Sequence, residues 1–455
     1  MGGTLTASWL WSTLLAVGLV FIAVLMRVQL RSWMSPGALF ALVWSAFVCV
    51  PLLMLPGVEV WPGAVLAIAL AVLIVCAGAF LGAGGVFPRA WHMGPLPDGR
   101  QQEWDRPTKF LGLTFLTVGC SVVGLLGVAI LLWSEGFGLS DLGSLEQAAE
   151  IARIFSVARY QEGYSPPVSV RLMTVAMYTG ALFGGALFLT AKSRLKKALA
   201  LLPFVPAVLF MAVLTTRAVF LFQVVLWVSS WMALGVVRYG PLARLFTGFR
   251  VLVSALMMLT ALAIVSLVLV ARHAVEVDAF VSVVWPQLRG DIVGHLPAFG
   301  DWLHVALRKE LSLTYGAFTF GGIFELLNLQ ERLPGIYEEN IQMTVGGVIV
   351  ESNIFTAFRG LIQDFGYLGA IAGLFLIGFC GGSAFRSAAR GQIAAAPWLA
   401  AYYMFAIWSP IGSFAVYNTI LAAYLLFGLY LWGQAGLQVV VQRRPLTLAG
   451  SATSV

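Results

Sequence analysis

Apolar segments long enough to cross a bilayer recur along the whole chain, and they constrain its fold more than any other feature. A helix needs about 20 apolar residues to span the hydrocarbon core. Only 10% of the residues are charged, whereas a soluble domain carries about 25%. We therefore predict an all-α integral membrane protein with about eleven transmembrane helices, in which residues 1–455 form one polytopic domain. The predicted spans are residues 9–26, 37–55, 62–82, 110–133, 171–190, 198–214, 218–237, 251–270, 365–385, 393–409 and 415–433.

The Lys and Arg residues predict how these helices are oriented. With the N-terminus outside, the cytoplasmic connections hold 17 Lys and Arg residues, and the much longer outer connections hold 10. This asymmetry is the one that the positive-inside rule requires. We expect the N-terminus outside and the C-terminus inside. The net charge of +7 then reflects membrane topology, so we expect no nucleic-acid partner.

The first long outer connection covers residues 134–170. Ser144 and Gln147 have capping-box spacing, and apolar residues follow them at mostly helical spacing. We predict an amphipathic helix from 145 to 160 that lies along the membrane surface. Arg159 would face polar headgroups or a substrate from this helix, with a solvated charge as the alternative.

The second long outer connection, residues 271–364, separates predicted helices eight and nine. Residues 301–311 read as a short helix that places Asp301, His304 and Arg308 on one face. The predicted spans hold almost no charge, which argues against a proton-coupled transporter and favours a site at the outer membrane surface.

The outer charges are mostly Arg, whose planar fork of donors matches phosphate oxygens, as in a diphosphate linked to a lipid. Arg217 is the strongest candidate because it sits at a helix break between two spans. Arg289, Arg308 and Arg359 are further candidates. The alternatives are a snorkelling side chain for Arg217 and salt-bridged or solvated charges for the others.

An enzyme at this surface would also need a general base, and His304, Glu351 and Asp364 are candidates. A structural role is the alternative for His304, and Asp364 is equally suited to cap a helix that begins at Phe365. The His residues lack the paired spacing of a zinc site, and no Asp-rich loop indicates magnesium, so we predict no metal.

Several short motifs resemble those of the Wzy-type polymerases of O-antigen and other oligosaccharide repeat units. The segment from Asn353 to Thr356, followed by Asp364 to Gly369 at the start of a membrane helix, looks like the C-terminal signature of that family. Thr215 to Arg217 resembles its Gly-Ser-Arg-like turn, with Thr in place of the small first residue. Leu313 to Gly316 resembles its Tyr-containing segment. Arg289 begins an Arg-x10-Gly pattern discussed for these polymerases.

The resemblance implies a GT-C-type glycosyltransferase of the bacterial inner (cytoplasmic) membrane whose active site faces the periplasm. It would transfer a growing glycan from one undecaprenyl-diphosphate carrier to the sugar of another, without a cofactor. The product would be O-antigen, for lipopolysaccharide biosynthesis, or exopolysaccharide. Tyr315 would pack against sugar rings or the lipid interface, and Asn353 would contact sugar or form a turn. The implied partners are the lipid-linked oligosaccharides, membrane lipids and a chain-length regulator.

Two other functions compete with polymerisation. An O-antigen ligase would transfer the finished glycan to lipid A-core through similar chemistry. A flippase or other transporter of lipid-linked oligosaccharides would carry internal repeats and charged or broken helices at the bilayer midplane, and the sequence shows neither.

Overall fold

The computed structural model describes residues 2–54, 60–85, 112–161, 164–241, 290, 294–329, 337, 339, 341–345 and 348–443. Most residues in this range are apolar, and most of them are helical. Its α-helices are α1 (Gly2–Leu30), α2 (Pro36–Met54), α3 (Pro62–Gly82), α4 (Leu113–Ser134), α5 (Leu145–Gln161), α6 (Val168–Thr190), α7 (Arg194–Leu199), α8 (Phe204–Leu214), α9 (Arg217–Tyr239), α10 (His295–Ala306), α11 (Gly321–Leu326), α12 (Ala357–Ala389), α13 (Ala396–Trp408) and α14 (Asn418–Arg443).

The membrane character is confirmed by the length and composition of these helices. Within the described residues, nine elements are long and apolar enough to cross a bilayer: α1, α2, α3, α4, α6, α7 together with α8, α9, α12 and α14. The predicted tenth span, residues 393–409, corresponds to a shorter apolar helix, Ile393–Trp408. The predicted eighth span, residues 251–270, lies outside the described residues.

Helices α3 and α12 pack in parallel through glycine contacts. In α3 and α12, Gly78 and Gly82 face the backbone of Phe375 and Phe379, and Gly378 and Gly382 face the backbone of Val75 and Ala79 in return. A Cβ on any of these four glycines would meet backbone atoms at less than 3.0 Å. Small residues allow such close backbone approach between membrane helices.

The short basic connections collect at one end of the bundle. Arg238, near the end of α9, donates from Nη1 to the carbonyl oxygen of Leu189 at the end of α6, at 2.7 Å. The guanidinium of Arg386, near the end of α12, lies beside Gly84 after the end of α3. These contacts place the ends of α6 and α9 together and the ends of α3 and α12 together. Which side of a membrane this end faces stays a prediction.

The segment that follows the predicted eighth span folds onto the opposite end of the bundle. His295 bonds through Nε2 to the carbonyl oxygen of Phe47 near the end of α2, at 2.8 Å. The ring of His304 packs edge-on against Trp61, the residue before α3, with centroids 5.1 Å apart. These contacts attach α10 to the bundle.

Two details of this segment differ from expectation. The predicted helix 301–311 is wrong at both bounds, because α10 begins at His295 and ends at Ala306. Arg308 therefore lies beyond the helix that was expected to present it. The segment also contains an antiparallel hairpin, β1 (Ile341–Val345) and β2 (Val348–Ser352), so its fold is not purely helical.

The amphipathic helix is confirmed as α5. The backbone nitrogen of Gln147 donates to Ser144 Oγ at 3.2 Å, which is one half of the predicted capping box. Ile151 and Phe155 are buried. Arg153 forms an exposed ion pair with Glu150. The position of α5 along a membrane surface stays a prediction.

Candidate functional site

The start of α12 is anchored in the bundle by the end of α13. The backbone nitrogen of Ala357 donates to the carbonyl oxygen of Ser409 at 2.8 Å. Trp44 Nε1 donates to Ser409 Oγ at 3.0 Å, and the Trp44 ring stacks on Phe358 with centroids 4.6 Å apart. This framework holds the first turn of α12, which carries Arg359, in a defined position.

Arg359 lies inside a cluster of aromatic rings. Its Cζ is 4.0 Å from the ring centroids of Tyr337 and Phe355 and 5.3 Å from that of Trp302. The side chain is only 2% exposed. Removing a guanidinium from water is costly, and contact with aromatic faces offsets part of that cost. We call this cluster, Trp302, Tyr337, Phe355 and Arg359, the arginine box.

The hydrogen-bond donors of Arg359 are only partly used. Nη2 donates to Glu339 Oε2 at 2.7 Å, and Nε makes a long contact of 3.4 Å with Gln363 Oε1. Nη1 is buried and has no hydrogen-bond partner in the part of the chain that the structure describes. The Glu339 side chain is 69% exposed, so the polar side of the box reaches the surface. A buried donor without a partner is costly, which makes Nη1 a candidate donor to an anionic ligand.

Further hydroxyl groups lie around the box. The hydroxyls of Thr319 and Thr356 are buried and, within the described residues, lack hydrogen-bond partners. The Tyr337 and Thr319 hydroxyls lie 3.2 and 3.6 Å from where a Cβ on Gly360 would stand. Burial raises the pKa of Tyr337, so its hydroxyl keeps its proton and remains a donor. These groups would suit ligand oxygens.

Asp364 positions a neighbouring loop. The residue is fully buried, and its carboxylate accepts from Thr314 Oγ1 at 2.5 Å and from the backbone nitrogens of Phe318 and Thr319 at 3.1 and 2.6 Å. Both oxygens are occupied by protein donors, which suits positioning better than proton transfer to a substrate. The three donors to its carboxylate belong to the loop and not to the part of α12 that follows Gly366, so these contacts do not support the helix-capping alternative.

The predicted start of a span near residue 365 corresponds to a kink inside α12. Gly366 has φ 68° and ψ 179°, a conformation that only glycine adopts readily, and it divides the helix into two parts. The first part, from Ala357, carries Arg359 and Asp364. The second part is apolar and forms most of the predicted span.

His304 lies on the same short helix as Trp302. It is half-buried against Trp61, while Trp302 contacts Arg359. Partial desolvation raises the pKa of the neighbouring Asp301, although the residue remains exposed, and the nearby His304 partly opposes this shift. The helix α10 thus connects a predicted base to the arginine box.

Other predicted residues lie at the surface. Arg308, Asn353 and Glu351 are exposed, and Glu351 accepts a hydrogen bond from Gln342 Nε2 at 3.0 Å across the hairpin. The Tyr315 side chain is 75% exposed. The structure does not bring these side chains to the arginine box.

Arg217 is the first residue of α9, as the predicted helix break requires. Thr215 adopts a left-handed conformation with φ 51°, and the break follows from it. Phe222, five residues further on, packs against Trp408 at 4.1 Å between centroids. The end of α13 at Trp408 also anchors the start of α12, so Arg217 and Arg359 lie at the same end of the bundle. Arg289 and the Arg159 side chain lie outside the described residues.

Tyr337, Glu339 and Thr319 are site residues that sequence reasoning missed. They lie in polar or aromatic loop segments without periodicity. A Tyr or Thr in such a segment carries no local signal, because its role depends on which distant side chains surround it.

The chain offers no metal site among the residues described: no group of three or more His, Cys, Asp or Glu side chains is placed to bind an ion. The arrangement at this end of the bundle is instead a buried guanidinium, Arg359, with one donor that lacks a partner among the described residues. Comparison with family models, with curated proteins and with solved structures yields no match to this chain.

Proposed function

We propose that this protein is a membrane glycosyltransferase that polymerises oligosaccharide repeat units carried on undecaprenyl diphosphate, at the outer face of the bacterial cytoplasmic membrane. One observation carries the proposal: the buried guanidinium of Arg359 keeps a donor, Nη1, that has no hydrogen-bond partner among the described residues, at the end of the bundle opposite the basic connections. A lipid-linked diphosphate in the outer leaflet would present its oxygens at this level.

The arginine box would act on the leaving group. When the glycosidic bond to the donor diphosphate breaks, negative charge grows on the diphosphate oxygens. A guanidinium fixed by aromatic rings can stabilise that charge without rearranging during the reaction. Arg217, at the same end of the bundle, would supply a second cation. The sugar would pass through an oxocarbenium-like transition state.

The acceptor sugar hydroxyl must lose a proton as it attacks. We assign this role to His304, because it is partly exposed and lies on the helix that brings Trp302 to Arg359. Asp364 is less suited, because its carboxylate already accepts three hydrogen bonds from the protein. Glu351 is exposed on the hairpin and contacts Gln342.

The test measures glycan length in a strain that lacks its own copy of the gene. The strain is complemented with wild-type protein, Arg359→Ala, Arg359→Lys or Arg153→Ala at equal abundance. Losing a donor that acts on the transition state slows catalysis about 100-fold, so both Arg359 variants are expected to lose long chains. Arg153, whose ion pair is exposed, is the matched control and should retain them.

The pattern of products separates the candidate functions. Loss of long chains with single-repeat capping retained indicates a polymerase, and loss of every capped form indicates a ligase. Purified protein that lengthens lipid-linked repeat units unaided excludes a transporter. Full-length chains from Arg359→Ala at normal abundance would refute the role of the arginine box. A short-chain prenyl diphosphate gives a second test with purified protein: the role is also refuted if this ligand raises the melting temperature of Arg359→Ala as much as that of wild type.

A further inference from the structure

A surface segment beside the site, residues 313–329, has an unusual distribution of apolar side chains. We call it the apolar segment. It contains a single charged residue, Glu325, and most of its large apolar side chains are exposed. Tyr315, Leu326 and Leu329 are 75%, 74% and 67% exposed. The other exposed members are Leu313, Phe320, Ile323 and Leu327. Apolar surface of this extent rarely faces water in a stable protein.

The backbone of the apolar segment is suited to a low-dielectric environment. Lipid tolerates a polypeptide only where its backbone groups are satisfied internally. The nitrogens of Thr314 and Tyr315 donate to the carbonyl oxygens of Gln363 and Asp364, at 3.2 and 3.1 Å. Further backbone nitrogens donate to carbonyl oxygens inside the segment: those of Ala317, Phe320, Ile323, Phe324, Leu327, Asn328 and Leu329.

The one charge in the segment is compensated by the protein. Glu325 Oε1 lies 3.5 Å from Arg171 Nη1, and Glu325 Oε2 accepts from Asn418 Nδ2 at 3.1 Å. Arg171 belongs to the first turn of α6 and Asn418 begins α14. The carboxylate therefore faces the bundle and leaves the outer side of the segment apolar. The exposed charges Arg308, Lys309 and Glu310 lie just before the segment.

The apolar segment is continuous with exposed apolar surface on three of the long helices. Gly322 packs against the backbone of Val416 and Asn418 at the start of α14, and Phe320 approaches Phe365 beside the kink in α12, with centroids 6.4 Å apart. Each helix exposes apolar side chains next to or beyond these contacts. They are Val168 and Leu172 in α6, Leu368 and Ile371 in α12, and Leu425 and Leu429 in α14.

We infer that residues 313–329 insert into the membrane–water interface at the end of the bundle that carries the arginine box, and that they contact lipid directly. Continuity with three separate membrane helices favours lipid over a second copy of the chain, since a dimer contact would cover one side only. The exposed Tyr315 suits the headgroup level, where aromatic rings with a polar tip are enriched. The inference concerns the membrane surface alone and does not depend on the proposed glycosyl transfer.

The test uses full-length protein in vesicles that contain phosphatidylglycerol and acyl-brominated phosphatidylcholine. The four native cysteines are replaced, and a bimane label is placed on Leu326→Cys, Leu329→Cys, Lys309→Cys or Leu376→Cys. Leu376 is an exposed position in the apolar part of α12 and serves as the lipid control, and Lys309 serves as the aqueous control.

Bimane at 326 and 329 is expected to be quenched by brominated lipid about threefold more than bimane at 309, because only inserted apolar side chains reach the acyl region. Quenching by aqueous iodide should follow the opposite order. The inference is overturned if positions 326 and 329 behave like 309. It is also overturned if a second copy of the chain, and not lipid, covers positions 326 and 329. In that case brominated lipid would not quench the bimane, and energy transfer would occur between labelled copies.

Discussion

Alanine at position 382 is expected to separate α3 from α12 and to destabilise the protein by about 3 kcal/mol, the upper part of the range for overpacking. A Cβ on Gly382 would stand less than 3.0 Å from the backbone of Ala79 and Ala83. Backbone atoms cannot rotate away as a flexible side chain can, so one whole helix must move. Membrane helices gain stability from such close packing and lose it when they separate.

The matched control is Gly119→Ala in α4. A Cβ on Gly119 would have no neighbour within 4 Å. Alanine favours the helix by about 1 kcal/mol over glycine, so this control should be neutral or slightly stabilising. The measurement is the melting temperature of each purified protein in the same detergent. Equal melting temperatures for the two variants would show that the α3–α12 contact is less close than the structure describes.

Asp364→Ala is expected to destabilise the protein by about 4 kcal/mol, because three donors, one buried and two half-buried, lose their acceptor, and an unsatisfied buried donor costs about 1–3 kcal/mol. The donors are the Thr314 hydroxyl and the backbone nitrogens of Phe318 and Thr319. Asp364→Asn should cost about half as much, because its amide keeps one acceptor oxygen. Protease cleavage within residues 314–319 should become faster in both variants.

The control for Asp364 is Glu310→Ala, which removes an exposed carboxylate from the same part of the chain. Surface substitutions of this kind change stability by about 0.5 kcal/mol or less. Melting temperature and glycan length should be measured on the same preparations. An Asp364→Asn protein with wild-type stability and no glycan product would restore Asp364 as the proton acceptor and contradict its positioning role.

The parts of the fold that depend on local sequence were predicted well. Ten of the eleven predicted spans coincide with apolar helices in the described chain, and the eighth lies outside it. The helix break before Arg217 and the capping contact of Ser144 are also confirmed. Hydropathy over about 20 residues and capping over four residues are local properties, so neighbouring residues are sufficient to predict them.

The first part of α12, before the kink at Gly366, shows where local reasoning fails. The predicted span began at residue 365 because residues 357–364 include Arg359 and Asp364, which lower the local hydropathy. The helix nevertheless begins at Ala357, and both charged side chains are buried. Tertiary partners make this possible: aromatic rings and Glu339 surround the guanidinium, and loop donors satisfy the carboxylate.

The candidate site, like the fold, was predictable from the sequence only in part. The sequence by itself determined that this is a polytopic helical membrane protein and that its polar residues concentrate between the apolar segments, because both follow from composition and spacing. Only the tertiary structure decided that Arg359, rather than the exposed Arg308, is enclosed by Trp302, Tyr337 and Phe355. Trp302 and Tyr337 are far from Arg359 in the chain, and the free energy of a buried cation depends on all its neighbours together.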